Sequence, residues 1–152
     1  SDMITKARGN AEKVGTTNVE FRLGEIEHLP IADNSADIIM SNCVINLSPD
    51  KLSVYRDAYR VLKPGGRLAI SDIVATAELP SKIQEDLALV AACVGGAATI
   101  DDTKELLEEA GFTGIQIRSN DMSREVLTHW DPEMSEDAGD YIVAAYIEAI
   151  KP

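Results

Sequence analysis

Two cysteines pose the sharpest chemical question in this chain. Cys43 sits in SNCVINL (41–47), where an apolar run gives out, and Cys93 opens CVGGA (93–97). As thiolates such residues attack electrophiles or ligate soft metals; as protonated thiols they fill cores like small hydrophobes. Neither residue alone decides between these roles. A zinc site would need further donors, and His28 and His129 stand at no recognisable zinc spacing from the cysteines. Asn42 can hydrogen-bond a ligand or simply end a strand with its side chain. Asp72, in AISD (69–72), either lines the same crevice or forms a turn. No His/Asp pair of the kind used for general base catalysis stands out.

The elements that must position these groups follow from hydrophobic periodicity. Residues 2–14 read as a helix with Asp2 as N-cap, Met3, Ala7, Ala11 and Val14 on one face, and Gly15 as its stop. NVEFRLG (18–24) alternates like a strand, with Val19, Phe21 and Leu23 on one side. ADIIMSNC (36–43) begins with a run suited to a strand covered on both faces. Ser48 and Pro49 read as N-cap and first position of a helix over 50–62, which Lys63-Pro64-Gly65-Gly66 ends before a strand over 67–74. Pro80 and Ser81 open a helix over 82–93 that Gly95-Gly96 closes, and Thr99 and Asp102 cap another over 101–110. Strands are expected over 114–120 and 140–150, separated by an acidic segment in which Trp130 is a packing anchor. Strands alternating with helices imply one α/β domain over 1–152 with a mostly parallel sheet. Its last two strands can pair antiparallel at an edge. Cys43 then falls at the carboxyl end of a strand, where open α/β sheets bind ligands.

Bulk composition narrows the partners. The 152 residues carry a net charge of -12, with 45% apolar and 26% charged residues. That charge argues against a nucleic-acid partner, which clustered Lys and Arg would recognise. No apolar run approaches the ~20 residues that span a bilayer, so no membrane partner is expected. Two cysteines are too few for a disulfide scaffold and fit a reducing, cytoplasmic location. No G-x-G-x-x-G-like run is present, although nucleotide-binding α/β domains usually carry one after their first strand.

Three stretches in order resemble the later part of class I S-adenosylmethionine-dependent methyltransferases: GEIEHLPIADNSADIIMSN (24–42), RVLKPGGRLAISD (60–72) and LLEEAGFTGIQI (106–117). Within that superfamily, SNCVINLSPDK, LKPGGRLAISD, ELP and CVGGA together resemble the arsenite methyltransferases. The likeness runs from about residue 2 to about residue 120 and returns in YIVAAYIEAIKP (141–152). It implies a Rossmann-like sheet, here N-terminally truncated, and methyl transfer from S-adenosylmethionine to thiolate-bound arsenic(III). Cys43 and Cys93 would be the arsenic ligands, Glu25 and Ile26 the contacts of the adenine, and Asn42 a further cofactor-side residue. A further cysteine common in the family is absent, so a three-thiolate site cannot be built from this chain alone. The family also implies a thiol reductant such as thioredoxin.

Soft, thiophilic arsenic(III) fits such a donor set. Its lone pair needs no general base, so the protein has mainly to orient two reactants. Without the glycine-rich turn, this chain is expected to bind S-adenosylmethionine weakly or not at all and to be inactive alone. The superfamily places two further strands between those of 18–24 and 36–43. Their absence predicts a rearranged sheet or a homo-oligomer that covers the open edge. Two other readings stand beside this one: a small-molecule C- or O-methyltransferase of the quinone-biosynthesis type, and a non-catalytic metalloid-binding fragment.

Overall fold

A computed structural model of the chain describes residues 1–86, 89, 93–120 and 140–152. The middle of the helix expected over 82–93, and the acidic segment with His129 and Trp130, lie outside the described residues. The elements are helix α1 (Asp2–Val14), strand β1 (Ala36–Asn42), a 3-10 turn (Ile45–Leu47), α2 (Lys51–Val61), β2 (Leu62–Ala75), α3 (Ser81–Gln84), α4 (Ile100–Glu109), β3 (Thr113–Asn120) and β4 (Ile142–Ile150).

Among the described residues, four strands form one sheet in the order β1-β2-β4-β3. β1 pairs parallel with β2, and β4 runs antiparallel to both β2 and β3. Three strands therefore share a direction, and the edge strand β3 pairs antiparallel with β4, as the α/β pattern predicts. Such mixed pairing spares the chain a second long crossover. The β1–β2 register jumps from Ala36↔Leu62 to Ile38↔Arg67, so the Lys63-Pro64-Gly65-Gly66 turn survives as a bulge inside β2. That is why β2 starts at Leu62 rather than at 67. Gly65 has φ 79, and a side chain on Gly66 would press on Lys63 O, so this turn needs both glycines.

One face of the sheet packs on α2 and α4 through Leu62, Leu68, Leu107, Phe112 and Ile147. Tyr59 and Phe112 add an edge-to-face contact with ring centroids 5.3 Å apart. A second cluster, Ile73, Leu79, Ile83, Val94 and Ile142, sits beneath the turn that carries Cys93. Buried Lys151 donates from Nζ to Tyr59 O (2.8 Å), Leu62 O (2.8 Å) and Asn34 Oδ1 (2.7 Å), closing the end of α2 against the C-terminus. A cation suits that helix end.

Several local expectations are corrected. Residues 18–24 are not a strand, and Val19 and Leu23 are exposed. An alternating run becomes a strand only with a ladder partner, and here the segment is held instead by Arg8 and Arg22. Arg8 donates to Phe21 O, and Arg22 donates to Pro30 O at 2.7 Å. The strand expected to be covered on both faces is largely open: β1 lies at the sheet edge, with Ile38 and Met40 exposed. The described strands make one continuous sheet, in which the expected rearrangement is not seen. Ser1, not Asp2, occupies the N-cap of α1, whose apolar face buries no residue. Asp50, not Ser48, caps α2, accepting from Ser53 N at 3.0 Å. Ser48 is instead spent on Glu27 and on Asp50 N. The Thr99 cap of α4 is as read, accepting from Asp102 N at 3.0 Å.

Candidate functional site

The fold carries Cys43 off the end of β1, where its N–H still donates to Ser71 O at 2.9 Å. Cys93 arrives from the other side on the turn before Gly95-Gly96. The two residues, 50 apart in sequence, meet: the Cys93 thiol donates to Cys43 O at 3.1 Å. Cys93 is buried, Cys43 is half-buried, and neither forms a disulfide. Both hold positive φ, 52 and 65, which residues with a side chain keep only where their surroundings enforce it.

Asp72 lies under the pair and is 5% exposed. Its carboxylate accepts from Ile73 N (2.8 Å), Asn46 Nδ2 (3.1 Å) and Ile45 N (3.2 Å). Burial raises its pKa, against the pull of the Ile73, Ile45 and Val44 N–H groups and of the Lys51 charge. Burial likewise pushes both thiols up. Asp72 adds to this for Cys43, and Cys43 itself and then Asp72 add to it for Cys93. The pair is therefore held as neutral thiols at neutral pH rather than as free thiolates. Such a site gives up its protons when a thiophilic atom binds.

The residues read as cofactor contacts are not brought together. Glu25 and Ile26 line an open cavity of about 550 Å3 with Arg22, Leu29 and Pro30. The loop over this cavity is stapled to α2: Asp57 Oδ2 accepts from Leu29 N at 2.7 Å, and Arg60 donates to Leu29 O and Ile31 O. Asn42 lines a different cavity of about 400 Å3 with Met40, Ser41 and Tyr146. Among the described residues, Ser41 Oγ is the buried side-chain polar atom without a partner, and it lines this second cavity. An orphaned hydroxyl beside a strand-end amide fits a polar ligand there. The split of Asn42 from Glu25 and Ile26 fits only parts of a large cofactor.

Asn46 is the residue that sequence reasoning missed. It is buried, and its amide donates to Ile73 O at 2.7 Å and to Cys93 O at 3.1 Å. The available signal was the Gly95-Gly96 pair, which marks a close backbone approach without saying to what. His28 takes no part in the thiol site; it forms an isolated bridge with Glu25. Among the described residues, no cluster of three or more metal-ligating side chains exists, so a protein-only zinc centre has no donor set there.

A methyltransferase-domain family matches residues 1–111. The chain is 52% identical over 151 residues to an arsenite methyltransferase of Halobacterium salinarum, covering 99% of this chain and 38% of that protein. An arsenite methyltransferase of Homo sapiens is 45% identical over 106 residues, 66% of this chain and 28% of that protein. Among solved structures, an arsenic(III) S-adenosylmethionine methyltransferase from Chlamydomonas reinhardtii superposes with a TM-score of 0.72 at 32% identity. That match covers 93% of this chain and 48% of that one. The chain thus spans less than half the length of these relatives.

Proposed function

Because the chain belongs to the methyltransferase-domain family, and resembles arsenite methyltransferases over nearly its whole length, we propose that it holds arsenic(III) for methylation. The observation that carries this reading is the meeting of Cys43 and Cys93 across one crevice. Arsenous acid condenses with two thiols: two As–S bonds form, two As–OH bonds break, and each thiol proton leaves with a hydroxide as water. Neutral thiols suit this exchange because the protons they release are those the leaving hydroxides need. The bound arsenic keeps its lone pair, and its third position is left for hydroxide or a small thiol.

S-adenosylmethionine, when bound, supplies an electrophilic sulfonium methyl. Glu25, Ile26 and Asn42 would be the contacts this chain offers it, with Asp57 and Arg60 holding the loop behind Glu25 and Ile26. Since those contacts line two separate cavities, weak cofactor binding and no methylation by these residues alone are expected, methyl transfer belonging to the complete protein. A thiol reductant such as thioredoxin would return oxidised arsenic to the trivalent state, and a reducing cytoplasm would keep both thiols free. The open edge of β1 offers a route to a homo-oligomer, which light scattering reads directly.

Intact-mass spectrometry of the chain with arsenite tests the proposal. An adduct is expected that survives desalting in the wild type and is lost in Cys43→Ser and in Cys93→Ser. Calorimetry with S-adenosylmethionine tests the second part, where micromolar binding would overturn the weak-affinity reading.

A further inference from the structure

Asn46 is not one of the two thiols, yet it touches every segment that carries them. It follows Cys43 in the same loop and is 6% exposed. Its Nδ2 lies 2.7 Å from Ile73 O, 3.1 Å from Cys93 O and 3.1 Å from Asp72 Oδ1. Two amide hydrogens thus serve three acceptors, from the end of β2 and from the Cys93 turn. The main chain of the same residue meets that turn as well: a side chain at Gly96 would run into Asn46 O. The contact at 96 therefore admits only glycine, and it fixes the turn from its far end while the amide fixes it at Cys93 O.

We propose that Asn46 is a positioning residue for the thiol pair. By locking the Cys93 turn onto the Cys43 loop, it sets the sulfur-to-sulfur spacing that lets both thiols close on one metalloid atom. The chemistry requires an amide of this length. Aspartate at 46 would face Asp72 and two carbonyls with no hydrogen to donate, and a leucine of similar shape would leave the Cys93 and Ile73 carbonyls unpartnered. The positive φ of both cysteines gives the lock something to hold, since each backbone reverts toward ordinary conformations when its surroundings loosen. The proposal rests on the dithiol reading above for its ligand, but its geometry can be read without arsenic.

The test compares the wild-type chain with Asn46→Leu, Gly96→Ala and Cys43→Ser. Phenylarsine oxide is the dithiol probe, iodoacetamide reads each thiol singly, and diamide reads sulfur spacing by joining the two thiols in a disulfide as it takes up their hydrogens. In Asn46→Leu, phenylarsine oxide affinity is expected to fall by about 10–100-fold, the range typical of lost outer-shell support. Diamide-driven disulfide formation slows in parallel, while alkylation of each single thiol stays as fast or becomes faster. A general structural defect would not separate the paired from the single reactions. Gly96→Ala attacks the same lock from the other side and should give the same split; it decides the matter if circular dichroism shows that Asn46→Leu does not fold. Unchanged phenylarsine oxide affinity and disulfide rate in a folded variant would overturn the proposal. A wild type that binds phenylarsine oxide no more tightly than Cys43→Ser would instead overturn the dithiol reading, with diamide still reporting whether Asn46 spaces the sulfurs.

Discussion

Replacing Asp72 by asparagine removes a charge from beneath the thiols while keeping the side chain's shape. The carboxylate gives two oxygens to three donors: Oδ1 to Ile73 N and Asn46 Nδ2, and Oδ2 to Ile45 N at 3.2 Å. Asparagine has one carbonyl oxygen. Placed at Oδ1 it keeps the first two bonds and turns its own NH2 toward the Ile45 N–H, so one bond is lost and one buried donor is stranded. That costs about 1–3 kcal/mol. Against this, the variant no longer carries a carboxylate whose ionisation burial opposes. The raised pKa of Asp72 means that its contribution to stability is complete below the ordinary carboxylate range and is lost as pH rises through the folded value. The gap between wild type and Asp72→Asn, measured by urea unfolding, should therefore narrow as pH climbs through that window. The thiols give the sharper readout. Asp72 adds to the upward shift of both, behind burial, so its removal lowers both pKa values but leaves them above an ordinary thiol. Alkylation of Cys43 and Cys93 by iodoacetamide, followed against pH by mass spectrometry, should show inflections at lower pH in the variant. Inflections that stay in place at both cysteines would refute the idea that the Asp72 charge reaches the pair.

Three further outcomes follow from the fold. Lys151→Met removes three hydrogen bonds from a buried ammonium and leaves the Tyr59 and Leu62 carbonyls unpartnered, a loss of about 2–4 kcal/mol that urea unfolding reads. Arg60→Met frees the loop over Glu25 and Ile26 while costing less than about 1 kcal/mol overall, since Arg60 is partly exposed. Hydrogen exchange should show faster exchange at Leu29 with little change in the sheet. Thr99→Ala removes the cap of α4 and lowers stability by about 1 kcal/mol, measured by thermal unfolding.

Much of this was legible in the sequence because local chemistry and tertiary context agree. The Thr99 cap, Gly15 as a left-handed stop and the antiparallel pairing of β3 with β4 each follow from short patterns that the fold leaves intact. Cys43 and Cys93 were readable as a pair only through the stretches around them, because nothing in either thiol records a partner 50 residues away. The strand expected over 18–24 failed because periodicity reports which face is apolar and not whether a neighbouring strand exists to pair with. Ser48 failed as a cap for a similar reason: two candidate caps stood in Ser48-Pro49-Asp50, and the contact between Ser48 and Glu27 left Asp50 for the helix. Asn46 stayed hidden because two of its three acceptors, Cys93 O and Ile73 O, are backbone carbonyls that carry no sequence signature.

The claim that both thiols hold one arsenic atom is tested most directly by arsenic K-edge X-ray absorption on the arsenite-treated chain. Two sulfur neighbours per arsenic are expected in the wild type, and no more than one in Cys43→Ser or Cys93→Ser. A first shell of oxygen alone in the wild type, or two sulfurs retained in either variant, would contradict it.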